Sequence, residues 1–139
     1  MTARLFAETT GSDADWVVKL IDVFPDDAPE GFLMSGFELI VSADIFRGRY
    51  RESLEEPRPL LPGAVLAYQV PLPHANHTFK PGHRLMVQVQ STWFPLIDRN
   101  PQTFTKTIFE AREQDFVKAT HRIYRSAKYP SRVEVAVVK

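Results

Sequence analysis

An all-β domain, a sandwich or a barrel, is what this sequence predicts, and three observations predict it. LMVQVQ alternates strictly between apolar and wetter positions, the period of a strand with one face on a core. The 11 prolines break the chain too often for long helices. No window combines a helical period with a cap and a stop.

The segments follow in order. Arg4 to Ala7 reads as an edge strand. Trp16 to Phe24, WVVKLIDVF, is apolar except for Lys19 and Asp22, which suits a strand buried on both faces. Phe37 to Val41 and Ala64 to Val70 read similarly. In the strand containing LMVQVQ, Leu85, Val87 and Val89 point one way, and Arg84, Met86, Gln88 and Gln90 the other. Val117, Ala119, His121 and Ile123 alternate with Lys118, Thr120, Arg122 and Tyr124, and Val133, Val135 and Val137 alternate with Glu134 and Ala136. Turns are expected at Pro25-Asp26-Asp27, Pro57 to Gly63, Pro81-Gly82 and Asn100-Pro101, where proline presets φ and Gly, Asn or Asp accepts turn geometry. Leu54 to Pro57 and Phe109 to Asp115 allow at most a turn or two of helix.

A chain of 139 residues has room for one hydrophobic core, so a single domain is expected over 1–139. Lysine plus arginine equal aspartate plus glutamate at 17 each, and no net field favours nucleic acid or an anionic membrane as a partner. Cysteine is absent, which excludes a disulfide scaffold and thiolate-bound zinc. No stretch approaches the ~20 apolar residues that span a bilayer, so no membrane partner is expected.

A serine hydrolase needs its nucleophile on a G-x-S-x-G turn, so that backbone N–H groups can hold the oxyanion. The nearest sequence is Met34-Ser35-Gly36, but Leu33 and Phe37 stand where the outer glycines belong. His74, His77 and His83 form an H-x2-H-x5-H cluster that could share a metal, although turn residues explain it more simply. Asp13, Asp15, Asp26 and Asp27 could offer oxygens to calcium, yet acidic turn residues are commoner than calcium sites. No cofactor or metal is therefore expected. RGRYR at 47 to 51, read as extended, sets Arg47, Arg49 and Arg51 on one side around Tyr50. The acids Glu52, Glu55 and Glu56 follow, which favours ion pairs within the protein or between domains over nucleic acid.

Loop aromatics remain: Trp93, Phe94, Phe104, Phe109 and Tyr129. Rings on sandwich loops can stack on sugars, so a freestanding carbohydrate-binding module is the alternative function; closing the core ends is the commoner use. The stretch WFPLIDRNPQTF at 93 to 104 holds most of these features. Asp98 and Asn100 can accept backbone N–H groups, Arg99 can pair with a carboxylate, Pro101 fixes the exit, and Trp93 and Phe94 can plug a core end or an interface.

Several stretches together resemble a known family. DADWVVKLIDVFPDD at 13 to 27, DIFRGRYRES at 44 to 53, FKPGHRLMVQVQSTWFPLIDRNPQT at 79 to 103 and AKYPSRVEVAVV at 127 to 138 are similar to the C-terminal domain of the X-Pro dipeptidyl-peptidase, cocaine esterase and glutaryl-7-aminocephalosporanic-acid acylase hydrolases. The matching positions are Asp15 and Trp16; Arg49, Tyr50 and Arg51; Gly82, His83 and Arg84; and Asp98, Arg99, Asn100 and Pro101. The resemblance implies a jelly-roll β-sandwich of the galactose-binding-like type, non-catalytic, following an α/β-hydrolase domain that carries a Ser-Asp-His triad outside this chain. The parent would hydrolyse peptide, ester or amide bonds. This domain would pack on the catalytic domain and support its pocket shape or a homo-oligomer. No catalytic residue carries over; Arg49, Arg51, Trp93, Asp98, Arg99 and Asn100 are the candidate interface or loop residues. The family domain has an earlier β segment with no counterpart ahead of Met1, so the sandwich is expected to lack its first β segment. An exposed edge or groove, open to strand pairing with a neighbour, should result.

Overall fold

The computed structural model describes residues 1–27 and 33–137. Among them seven strands form two antiparallel sheets, consistent with the expected β-sandwich. The strands are β1 (Thr2–Thr9), β2 (Asp15–Val23), β3 (Glu38–Arg47), β4 (Leu66–Pro71), β5 (Arg84–Gln90), β6 (His121–Ile123) and β7 (Arg132–Glu134). One sheet runs β4-β1-β6, with β7 also on β1; the other runs β3-β2-β5.

β2 is the centre of its sheet, and every one of its residues is buried, as its apolar composition predicted. Trp16 and Val18 face inward, in one core with Ala3, Leu5 and Ala7 of β1 and with Tyr68 and Val70 of β4. Alternation sends Asp15, Val17, Lys19 and Ile21 to the outer face. That face is covered too, because the long connection after β5 lies over it: the Lys19 ammonium stands 4.6 Å from the centre of the Trp93 ring.

β1 corrects an expectation. It is not an edge strand but the middle of its sheet, paired with β4 on one side and with β6 and β7 on the other. Its inward residues Ala3, Leu5 and Ala7 are small or few, so the apolar signal is faint although their burial is complete or nearly so. β3 is longer than its apolar stretch. Ser42 and Asp44 interrupt the pattern, yet Ser42 Oγ donates to the Pro73 carbonyl at 2.8 Å and Asp44 accepts from the Ile45 amide at 2.7 Å. A bulge opposite Leu20 and Ile21 shifts the register of the same strand.

β6 and β7 are shorter than their alternation suggested. They lie end to end along β1, separated by an excursion whose base is tied by the Arg125–Pro130 bridge. The Phe6 amide donates to Ser131 Oγ at 2.9 Å, and the Phe6 carbonyl accepts from the Tyr124 amide at 2.9 Å. Val117 to Thr120 and Val135 to Val137 lie outside any strand.

β5 forms where its alternation placed it, and the turn before it has Gly82 at φ +84°, a backbone that side chains resist. Its inward row pairs across β2 as Leu85 with Asp22, Val87 with Leu20 and Val89 with Val18. The β2 members are buried, whereas Leu85 is 57% and Val87 40% exposed. Two clefts of about 430 and 360 Å³ open along this row. The first is lined by Met1, His77, Phe79, Leu85, Val135 and Val137 among others, the second by Leu5, Val87, Val89, Ile123 and Val133 among others. A third cleft, of about 540 Å³, opens at the β3/β4 side between Phe46, Tyr50, Leu54, Ala67 and Tyr68 among others, and the β5 side forms an open apolar trough.

Candidate functional site

The residues from 91 to 120 connect β5 to β6 and gather most of the polar chemistry at one end of β2. Asp13 and Asp15 stand at the start of that strand, and Arg47 at the end of β3. The segment 47 to 51 is not extended: Gly48–Tyr50 form a 3₁₀ turn, so the three arginines diverge. Glycine is required there, since a Cβ on Gly48 would lie 2.9 Å from the Ala14 carbonyl oxygen.

Each arginine finds its own partner inside the chain. Arg49 donates from Nε and Nη2 to Asp13 Oδ2 at 2.8 and 2.6 Å and from Nη1 to the Thr105 carbonyl at 3.0 Å, with the Phe104 ring centre 4.8 Å from its guanidinium. Both members of that pair are buried. Arg47 bonds Asp98 at 2.5 Å and lies 4.0 Å from Asp15. Arg51 pairs with Glu52 at 2.7 Å near the surface.

Asn100 ties the loop to β2. Its Nδ2 donates to Asp15 Oδ1 at 3.0 Å, and its Oδ1 accepts from the Gln102 amide at 2.8 Å. The Gln102 carbonyl then accepts from the Ser12 amide at 3.0 Å, and Ser12 Oγ accepts from the Phe104 amide at 2.9 Å. These are the turn-forming roles expected of Asn100. Asp98 instead takes a side-chain partner.

Burial pushes the Asp15 carboxyl up to about 6, against the pull of Arg47 and the Asn100 hydrogen bond. A buried carboxyl with a raised pKa beside a guanidinium is what a general acid or base looks like. Here it touches nothing from outside. Asp13, Asp15, Arg49 and Asn100 are all buried, and three clefts that do open at the surface are lined by other residues. The cluster can fasten a loop; it cannot reach a substrate.

A second cluster escaped the sequence reading. Asp22, on the inner row of β2, receives His77 Nε2 on Oδ2 and His83 Nδ1 on Oδ1, each at 2.8 Å. Burial acts to raise the Asp22 pKa, but the His77 and His83 hydrogen bonds outweigh it and hold the carboxyl below its ordinary value. The signal was present as a lone acid in an apolar strand, which must find donors when buried. His74 is exposed, and among the described residues no three metal-ligating side chains form a metal site. Asp13 and Asp15 stand at the start of β2 and Asp26 and Asp27 beyond its end, roughly 25 Å away at ~3.3 Å per strand residue, too far apart to share one calcium ion.

The rings are mostly engaged. Trp93 sits under Lys19, Phe104 under Arg49, and Tyr129 packs 5.7 Å from Phe6 and 5.5 Å from Tyr124. Phe94 and Phe109 are exposed, and so is Arg99, whose guanidinium lies 5.7 Å from the Phe94 ring centre and 5.4 Å from that of Phe116. Of the six candidate interface or loop residues, Arg49 and Asn100 are buried, Arg51, Trp93 and Asp98 are half-buried, and Arg99 is open to solvent.

Comparison with known proteins agrees with this sealed geometry. Residues 1–134 match the family model described as the X-Pro dipeptidyl-peptidase C-terminal non-catalytic domain. The whole chain is 34% identical to cocaine esterase from Rhodococcus sp. (strain MB1 Bresler), of which it covers 22%. Among solved structures it is similar to an aminopeptidase from a marine sediment archaeon, Thaumarchaeota archaeon, with 59% identity and a TM-score of 0.90 over 94% of this chain and 21% of that one. It is also similar to an α-amino acid ester hydrolase, with 55% identity and a TM-score of 0.88 over 94% of this chain and 22% of that one. The chain thus spans about a fifth of the length of the relatives it matches.

Proposed function

The chain belongs to the family of X-Pro dipeptidyl-peptidase C-terminal non-catalytic domains, and from that premise we propose that it is the packing module of a longer serine hydrolase. The hydrolase would act on peptide, ester or amide bonds with a Ser-Asp-His triad carried by an α/β-hydrolase domain. This module contributes no reacting group. It packs on the catalytic body, holds the shape of the pocket from outside and offers a surface for assembly.

The observation that carries this reading is the open trough beside β5. A sandwich that stands alone buries the inward row of its strands, because each exposed leucine or valine forgoes about 1.5–3 kcal/mol of burial. Leu85 and Val87 keep only part of that burial, and Val135 and Val137 on the cleft rim are also exposed. An added β segment would complete the core. Met1, next to β1, lines the same cleft.

Replacing the matching fifth of the archaeal aminopeptidase with this chain tests the proposal. The hybrid is expected to fold and to hydrolyse the aminopeptidase's substrate, while the purified 139-residue chain gives buffer-level turnover on ester and X-Pro amide substrates. Turnover by the isolated chain, or a hybrid that does not fold, would overturn it.

A further inference from the structure

Several large apolar residues on the connection between β5 and β6 are exposed and line neither cleft of the trough. Leu96 is 67%, Phe94 64% and Phe109 86% exposed, and Phe116 and Val117 are also open to solvent. Arg99 lies near both the Phe94 and Phe116 rings, and among the described residues no carboxylate pairs with it. Aromatic rings around an arginine are the composition of interface hot spots, and soluble surfaces seldom spend several large apolar residues on one segment without a partner.

The segment beneath is fastened at many points. The Ile97 amide donates to the Trp93 carbonyl at 3.0 Å, Asp98 is held by Arg47, Asn100 by Asp15, and the Val117 amide donates to the Pro101 carbonyl at 3.0 Å. The Thr120 amide closes the end on Thr10 Oγ1 at 2.9 Å. A surface held this firmly loses little conformational entropy when it docks.

We propose that the face formed by Phe94, Leu96, Arg99, Phe109, Phe116 and Val117 is the surface by which the module docks on the catalytic body of its hydrolase, with Arg99 meeting a carboxylate there. The inference rests on the packing-module reading above. Two features select this occupant. Matching chains carry about four fifths of their length outside this region, so a large body is covalently at hand. The module's formal net charge of zero provides no general attraction, so the unpaired Arg99 supplies the local charge that an acidic group on the body would complement.

The aminopeptidase hybrid described above is the test, made with Arg99→Glu and separately with Leu96→Ser plus Phe109→Ser. Both variants are expected to speed limited proteolysis between module and body and to lower hydrolysis tenfold or more. The same substitutions in the isolated chain should leave its circular dichroism and denaturation midpoint unchanged, since the altered side chains are exposed. A working hybrid whose variants behave like the parent hybrid would overturn the surface and leave the module reading standing. So would a concentration-dependent dimer of the isolated chain that these substitutions return to monomer, because the face would then serve contact between copies. An unsubstituted hybrid that does not fold would overturn both.

Discussion

Arg49 and Asp13 show how a residue that suggests recognition becomes a structural fastener. The guanidinium makes three hydrogen bonds within the chain, and both charges are out of water. Removing one partner leaves the other charge buried and uncompensated, a loss of about 3–5 kcal/mol. Arg49→Met should therefore lower the urea midpoint sharply, whereas Arg51→Met, which breaks a pair near the surface, should cost less than about 1 kcal/mol. Asp15 leads to a pH prediction. Its carboxyl titrates near 6 in the folded chain against an ordinary 3.8, so the folded state binds the proton more tightly than the unfolded state does. The contribution of Asp15 is thus most favourable below about pH 4. It declines as the pH rises to about 6, by roughly 3 kcal/mol at ~1.4 kcal/mol per pKa unit. Asp22 acts with the opposite sign: its lowered pKa makes it stabilising above its ordinary range, and that stability is lost as the pH falls through its folded value. Unfolding measured from about pH 4 to about pH 7 should show the Asp15 decline in the wild type and not in Asp15→Asn. The residue types at this end of β2 were legible in the sequence, but their pairing was not. Three arginines read as a stripe became three separate pairs once Gly48 turned the chain.

At the scale of elements, β5 separates what periodicity predicts from what burial decides. Its alternation placed the strand correctly and identified Leu85, Val87 and Val89 as one face. Alternation reports which residues share a side; it does not report whether anything lies opposite. Leu20→Ala, in the buried row of β2, should cost about 2–5 kcal/mol, and Leu85→Ala, in the adjacent row of the trough, less than about 1 kcal/mol. Equal losses in denaturant titration would mean that the trough is closed in solution. β1 shows the converse. Ala3, Leu5 and Ala7 form a weak pattern, yet the strand is central, because partners on both edges come from segments about sixty to seventy and more than a hundred residues away. The paired but broken β6 and β7 were overextended in the sequence reading for the same reason: each stops where β1 offers no further partner, and the valines beyond, Val135 and Val137, remain exposed.

At the scale of the whole molecule, the trough beside β5 and the exposed apolar residues of the β5–β6 connection both lead to the hybrid hydrolase as the experiment. The sealed cluster at Asp13, Asp15 and Arg49 and the latch at Asp22 explain why a chain with these ionisable groups fits a non-catalytic role: their charges are spent on holding loops to β2. Strand alternation, proline spacing and the recurring stretches determined the β class, the position of β2 and β5, and the family, because local periodicity and short motifs are properties of neighbouring residues. Tertiary structure alone decided that β1 is central, that Asp22 is clasped by His77 and His83, that Arg49 is buried while Arg99 is exposed, and that the sandwich is open along β5. Each of those depends on which distant segment arrives at a given face, and burial, pairing and exposure are set by that arrival.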